Sequence, residues 1–252
     1  MDFLTFVLLL AAGMVCGVVN VVGGGGSLLA LPVLLALGLP APVANGTNRL
    51  AILFQDIAAL TSFRKKGQFD WREGWPYSLP VVAGALVGAW LAALYLTEMV
   101  MNIAILVLVV GMIAALFFQP GKWTGAAGEK RAGRPRFTDK VLFFLIGVYG
   151  GFIQAGFTYL VLAVFVLKTG IGMVRADALK LFLNLLILPV ALVIFFWHHQ
   201  IDWLYGLVLG VGSALGGYGG VRFVTVWSPR LIRSLLLVLL LLSALYIIFV
   251  RL

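Results

Sequence analysis

The sequence predicts an all-α, multi-pass membrane protein made of two related halves, each a broken hairpin followed by three spans. Three observations predict it. The first is composition. Of 252 residues, 63% are hydrophobic in a count that leaves out the 30 glycines, and only 11% are charged; mean hydropathy is +1.11. A soluble domain is about half apolar with glycine included, so a water-soluble enzyme, a disordered chain and a nucleic-acid binder are excluded. The second is the recurrence of apolar runs close to the ~20 residues that a helix needs to cross a bilayer. The third is an internal repeat.

The elements follow in order. Residues 3–37 are apolar but interrupted at Gly23-Gly24-Gly25-Gly26, and residues 141–167 are interrupted between Gly150-Gly151 and Gly156. Arms of about 11 residues rise only ~16 Å as helix, half a bilayer. Each stretch therefore reads as a helix–break–helix hairpin that turns back inside the membrane. The spans are 49–63, 75–95 and 99–118 in the first half (1–118) and 181–197, 203–223 and 231–250 in the second (141–252). A basic linker, 119–140, joins them.

The halves match at nearly constant offsets. Gln68-Phe69-Asp70-Trp71 recurs as Gln200-Ile201-Asp202-Trp203, and Gly74, Gly84 and Gly88 meet Gly206, Gly216 and Gly220, all 132 positions on. Gly17 and Gly26 meet Gly147 and Gly156 at 130, and Arg49 meets Lys180 at 131. Such repeats are common in secondary transporters.

Positive charge orients the halves. An odd number of crossings per half inverts the second half relative to the first, and then sixteen of the eighteen Lys and Arg residues face the cytoplasm; only Arg49 and Arg251 lie outside. Parallel halves would leave seven outside. Cytoplasmic loops carry the Lys/Arg excess, so inverted halves are expected, with both termini outside. The net charge of +9 serves this topology rather than a polyanion partner.

The run from Gly17 through Gly23-Gly24-Gly25-Gly26-Ser27 to Pro32, with Val43-Ala44-Asn45-Gly46-Thr47-Asn48 after it, resembles the TauE/SafE sulfite exporter family. Gly151-Phe152-Ile153-Gln154-Ala155-Gly156-Phe157, Val174-Arg175-Ala176-Asp177 and Gln200-Ile201-Asp202-Trp203 carry the resemblance through the second half. It implies a non-enzymatic transporter in the cell (inner) membrane that exports a small sulfur-containing anion such as sulfite, thiosulfate or an organosulfonate. Uptake of a carboxylate or sulfonate, or a non-transporting accessory subunit, are the alternatives. The second hairpin departs from symmetrical family members: it lacks the glycine run and the proline, and has Gln154, Thr158 and Tyr159 instead.

Several residues are candidates for the chemistry. Gly24, Gly25, Gly26 and Ser27 open a helix inside the membrane, where free N–H groups and the positive end of the helix can cradle an oxyanion; close helix contact is the plainer alternative. Asn45, Thr47, Asn48 and Arg49 make a polar, cationic start to the span 49–63, with ordinary capping as the alternative. Arg175, Asp177 and Lys180 are the counterpart. Gln55, Gln154 and Thr158 complete the substrate-binding set with Lys180. Asp56 lies eight residues from Arg64, ~12 Å along a helix and so near the midplane. An ionisable group there is by default a functional hypothesis, and Asp56, with Asp177, is a proton-coupling candidate. Asn20 and Asn184 are further intramembrane polar groups. His198 and His199 lack a ligand set for a metal, and no cofactor is expected. The partners expected are a small anion and the lipid bilayer, not nucleic acid, with a homo-oligomer left open.

Overall fold

The computed structural model describes residues 1–22, 25–118, 135–169 and 171–228, with a few positions between 231 and 241. Gly23 and Gly24, residues 119–134 of the linker and most of the expected span 231–250 lie outside the described residues. The helices are α1 (Phe3–Val22), α2 (Gly26–Ala36), α3 (Ala41–Lys65), α4 (Trp71–Tyr95), α5 (Glu98–Phe118), α6 (Phe137–Phe152), α7 (Phe157–Ala163), α8 (Met173–Trp197) and α9 (Trp203–Val226). A wider π-helical turn, Val164–Thr169, continues α7. No strand occurs among the described residues. By length and composition α1, α4, α8 and α9 can each cross a membrane.

Both hairpins are broken where glycine interrupts the apolar run. The 11-residue α2 folds back on the end of α1, with Gly26 against Cys16 and Asn20. In the second hairpin, Gly156 adopts φ +81° at the start of α7, a left-handed conformation that a side chain would penalise. Asp70 and Asp202, duplicated in the sequence, each cap a helix: Asp70 accepts from Arg72 N (3.0 Å) and Asp202 from Tyr205 N (2.9 Å).

Two helices start well before their expected spans. The apolar count begins at 49 and 181, but α3 begins at Ala41 and α8 at Met173. Hydropathy rejects Asn45, Thr47, Asn48, Asp177 and Lys180 as membrane residues. All five are buried in protein, where Asn45 reaches Phe152 O, Thr47 reaches Asp202 N, and Asp177 and Lys180 pair with each other.

Small residues bring the longest pairs into backbone contact. A Cβ added to Gly17 of α1 would lie 2.7 Å from Gly217 N and 3.0 Å from the Ser213 carbonyl carbon of α9. One added to Gly147 of α6 would lie 2.9 Å from the Val81 carbonyl carbon of α4. The offsets of 130 and 132 that relate the halves also relate these contacts: Gly17 on Ser213 matches Gly147 on Val81, and Gly216 on Met14 matches Gly84 on Phe144.

The order of the contacts gives the helix directions. Along α1 and α9 the pairs advance together, from Leu10 at Gly212 to Val18 at Gly220. Helix α3 also runs with α9, from Thr47 at Asp202 to Gln55 at Gly217. Helix α4 runs with α6, from Val81 at Gly147 to Gly88 at Phe152. Helix α8 runs with α4, from Arg175 at Glu73 to the stretch just before Gln200, which reaches Ala93. Gln200 touches both the start of α3 at Gly46 and the end of α4 at Ala93, so the α1/α3/α9 set and the α4/α6/α8 set run in opposite directions.

Candidate functional site

A continuous chain of polar side chains links the two breaks through the core. Thr158 Oγ1 donates to Asn20 Oδ1 (3.4 Å), Asn20 Nδ2 to Gln55 Oε1 (3.0 Å) and Gln55 Nε2 to Asp56 Oδ1 (2.9 Å). From the other side Arg49 Nη1 donates to Gln154 Oε1 (3.3 Å), Gln154 Nε2 to Asn184 Oδ1 (2.5 Å) and Asn184 Nδ2 to Asp56 Oδ2 (2.7 Å). All seven residues are buried. Asp56 sits at the centre and accepts on both oxygens. Leaving one such group unpaired costs about 1–3 kcal/mol, so a chain of this length requires every member in place. Buried polar chains in membrane helices commonly mark substrate or proton paths.

Cations hold the broken helix ends. Arg49 Nη2 donates to Gly151 O (2.6 Å) and Nη1 to Gly150 O (3.0 Å), both at the end of α6. Its guanidinium lies 4.8 Å from the centre of the Phe195 ring. Among the described residues no carboxylate pairs with Arg49. Lys180 Nζ donates to Val21 O (3.2 Å) at the end of α1 and pairs with Asp177 Oδ1 at 2.5 Å. The last carbonyls of a helix lack intrahelical partners and carry partial negative charge, which a buried cation satisfies. Arg49 and Lys180 are 131 positions apart, and Gly151 and Val21 are 130 apart. Each half thus supplies the cation that holds the other half's break.

Most of the site residues expected from sequence meet here. Gln55, Asp56, Gln154, Thr158 and Arg49 belong to the polar chain, and Lys180 and Asp177 form the pair beside the first break. Gly25, Gly26 and Ser27 form the first turn of α2, while Gly24 lies outside the described residues. Thr47 lies apart from the chain: its Oγ1 accepts from Asp202 N (2.9 Å) and ties α3 to the start of α9. The helix entrance expected at Asn48 and Arg49 is corrected. Both are inside α3, whose N-terminal cap is Pro40, so capping does not account for them.

Sequence reasoning missed two features. Backbone carbonyls at Val21, Gly150 and Gly151 are ligands of the buried cations, and no side-chain pattern announces a carbonyl. Tyr159 is fully buried with its hydroxyl unpartnered; an aromatic residue in an apolar run gives no polarity signal. Asn48 Nδ2 and Arg49 Nε are likewise buried donors without an acceptor.

The helices and the buried polar chain define a polytopic membrane protein with an ionisable interior. Residues 9–247 match the family described as Sulfite exporter TauE/SafE, and the chain belongs to that family of membrane transporters. It is 29% identical over 230 residues to "Probable membrane transporter protein ORF9" of Sinorhizobium sp, covering 91% of this chain and 87% of that one. A "Probable membrane transporter protein" of Haemophilus influenzae is 27% identical over 92% of this chain and 90% of its own. The "Probable membrane transporter protein YfcA" of Escherichia coli K12 is 27% identical over 89% and 82%. No solved structure matches the chain.

Proposed function

We propose that this protein is a secondary transporter that exports a small sulfur-containing oxyanion, of the sulfite, thiosulfate or organosulfonate class, across the cytoplasmic membrane. The single observation that carries the reading is the polar chain between the two breaks, with Arg49 unpaired by any carboxylate among the described residues. A buried cation without a counter-anion is costly, and an anionic substrate offsets that cost. The family description favours sulfite as the anion.

The two halves act as inverted repeats around this chain. The opposed directions of the α1/α3/α9 and α4/α6/α8 sets and the exchanged glycine contacts support that arrangement. Transporters of this design place substrate at the midplane, at the ends of broken helices. The first turn of α2, Asn48, Arg49, Gln55, Gln154, Thr158 and Lys180 surround the substrate, and Thr47 positions α3. Asp56 and Asp177 are the groups through which a proton would couple.

Counterflow of labelled sulfite in liposomes of the purified protein tests the reading. Sulfite entry that thiosulfate competes for and acetate does not is the expected result. Carboxylate exchange without sulfite exchange would replace the substrate class. No anion flux at all would favour a non-transporting membrane subunit.

A further inference from the structure

Tyr159 stands at the breaks with a polar atom that no other group in the described residues engages. The residue is fully buried and its hydroxyl has no partner. The ring belongs to α7 in the second hairpin, but it reaches the first: a Cβ built on Gly25 would run into the Tyr159 hydroxyl oxygen and lie 2.9 Å from Cζ. Gly25 is the N-terminal cap of α2, an 11-residue helix. The first N–H groups of a helix lack the usual acceptor four residues back and carry partial positive charge. In α2 the Leu28 N–H turns back to Gly25 O (3.0 Å), so Gly26 and Ser27 are the N–H groups at issue. Beside Tyr159, Thr158 bonds Asn20. Lys180 reaches Val21 at the last turn before the same break.

We infer that the N-terminus of α2 and the Tyr159 hydroxyl together form a seat for a small oxyanion. The inference rests on the transporter reading and sharpens it by naming a donor that selects the substrate. Phenol O–H and backbone N–H groups are donors, so the ligand must present acceptors in more than one direction, as an oxyanion does. Glycine at 25 follows from the same geometry, because any side chain would occupy the space of the hydroxyl. A structural role alone does not explain the hydroxyl: buried without a partner it is a burden on folding, and phenylalanine would pack as well.

The test compares Tyr159→Phe with Tyr149→Phe, using calorimetric binding of sulfite, thiosulfate, nitrate and acetate to purified protein, with melting temperature measured in parallel. Tyr149 donates to Ala155 O (2.8 Å) and is the structural control. Tyr159→Phe should keep or raise the melting temperature and weaken oxyanion binding by about ten- to a hundredfold, the loss expected for a hydrogen bond to a charged group. Tyr149→Phe should lower the melting temperature and leave binding unchanged. Sulfite binding that survives Tyr159→Phe at wild-type affinity overturns the seat and leaves the sulfur-anion reading intact. Tyr159-dependent binding of nitrate or acetate without sulfite supports the seat and overturns that reading. Absence of binding for all four anions overturns both.

Discussion

Arg49 shows how far residue-level reasoning reaches. Its charge and its match to Lys180 marked it in the sequence, and it is indeed part of the interior polar chain. Its partners were not legible, because they are carbonyls exposed only when α6 breaks. They also alter what a substitution does. Arg49→Ala leaves Gly150 and Gly151 without their donor, so stability should fall by about 1–3 kcal/mol alongside a loss of flux. Arg49→Lys restores the charge but not the fork that spans both carbonyls, and should recover only part of each. Denaturation midpoints and counterflow rates, measured together, check the pair. A variant with full flux would remove Arg49 from the path.

Asp56 was legible from depth alone, since eight residues separate it from the Arg64 cluster. The structure adds that both its oxygens accept from amides. Asp56→Asn therefore sets one donor against another and should cost some stability as well as the titratable proton. The expected outcome is anion counterflow that persists while accumulation driven by a pH gradient disappears. Accumulation at the wild-type rate would move coupling to Asp177 or to another ion.

Among the elements, the interruptions of the two apolar runs were readable from glycine. Helix α1 ends at Val22 and α2 begins at Gly26, and α6 ends at Phe152, just past Gly150 and Gly151, before α7 begins at Phe157. Helix starts were less readable. Hydropathy sees residues 41–48 and 173–180 as polar, and cannot see that the fold buries Asn45, Thr47, Asn48, Asp177 and Lys180 inside protein. The glycine contacts give the sharpest prediction at this scale. A Cβ on Gly216 would lie 2.8 Å from the Met14 carbonyl carbon of α1, whereas Gly219, three residues on, has nothing within 4 Å. Gly216→Leu should abolish the α1–α9 contact and with it stable expression. Gly219→Ala should leave the melting temperature unchanged or slightly raised, because alanine is the better helix former by about 1 kcal/mol. Equal behaviour of the two variants would mean that α1 and α9 do not meet through this glycine face.

For the molecule as a whole, the match at 130 to 132 positions carried more information than any motif. The residues matched at those offsets lie in corresponding contacts, with Arg49 on the end of α6 and Lys180 on the end of α1. Orientation in the membrane rests on the distribution of Lys and Arg. With Cys16, the single cysteine, replaced by alanine, a cysteine at Gln68 should react with impermeant reagent only from the cytoplasm and one at His199 only from outside. Labelling of both from one side would rule out the inverted arrangement. The claim that joins all three scales is that the polar chain between the breaks is the route of the anion, and accessibility at its end tests that most directly. Thr158→Cys, in the cysteine-free and transport-active background, should be modified by an impermeant maleimide added to either side of the membrane, since an alternating site opens to each in turn. If the thiol resists modification from both sides while the protein is transporting, the chain is a structural core and the anion crosses elsewhere.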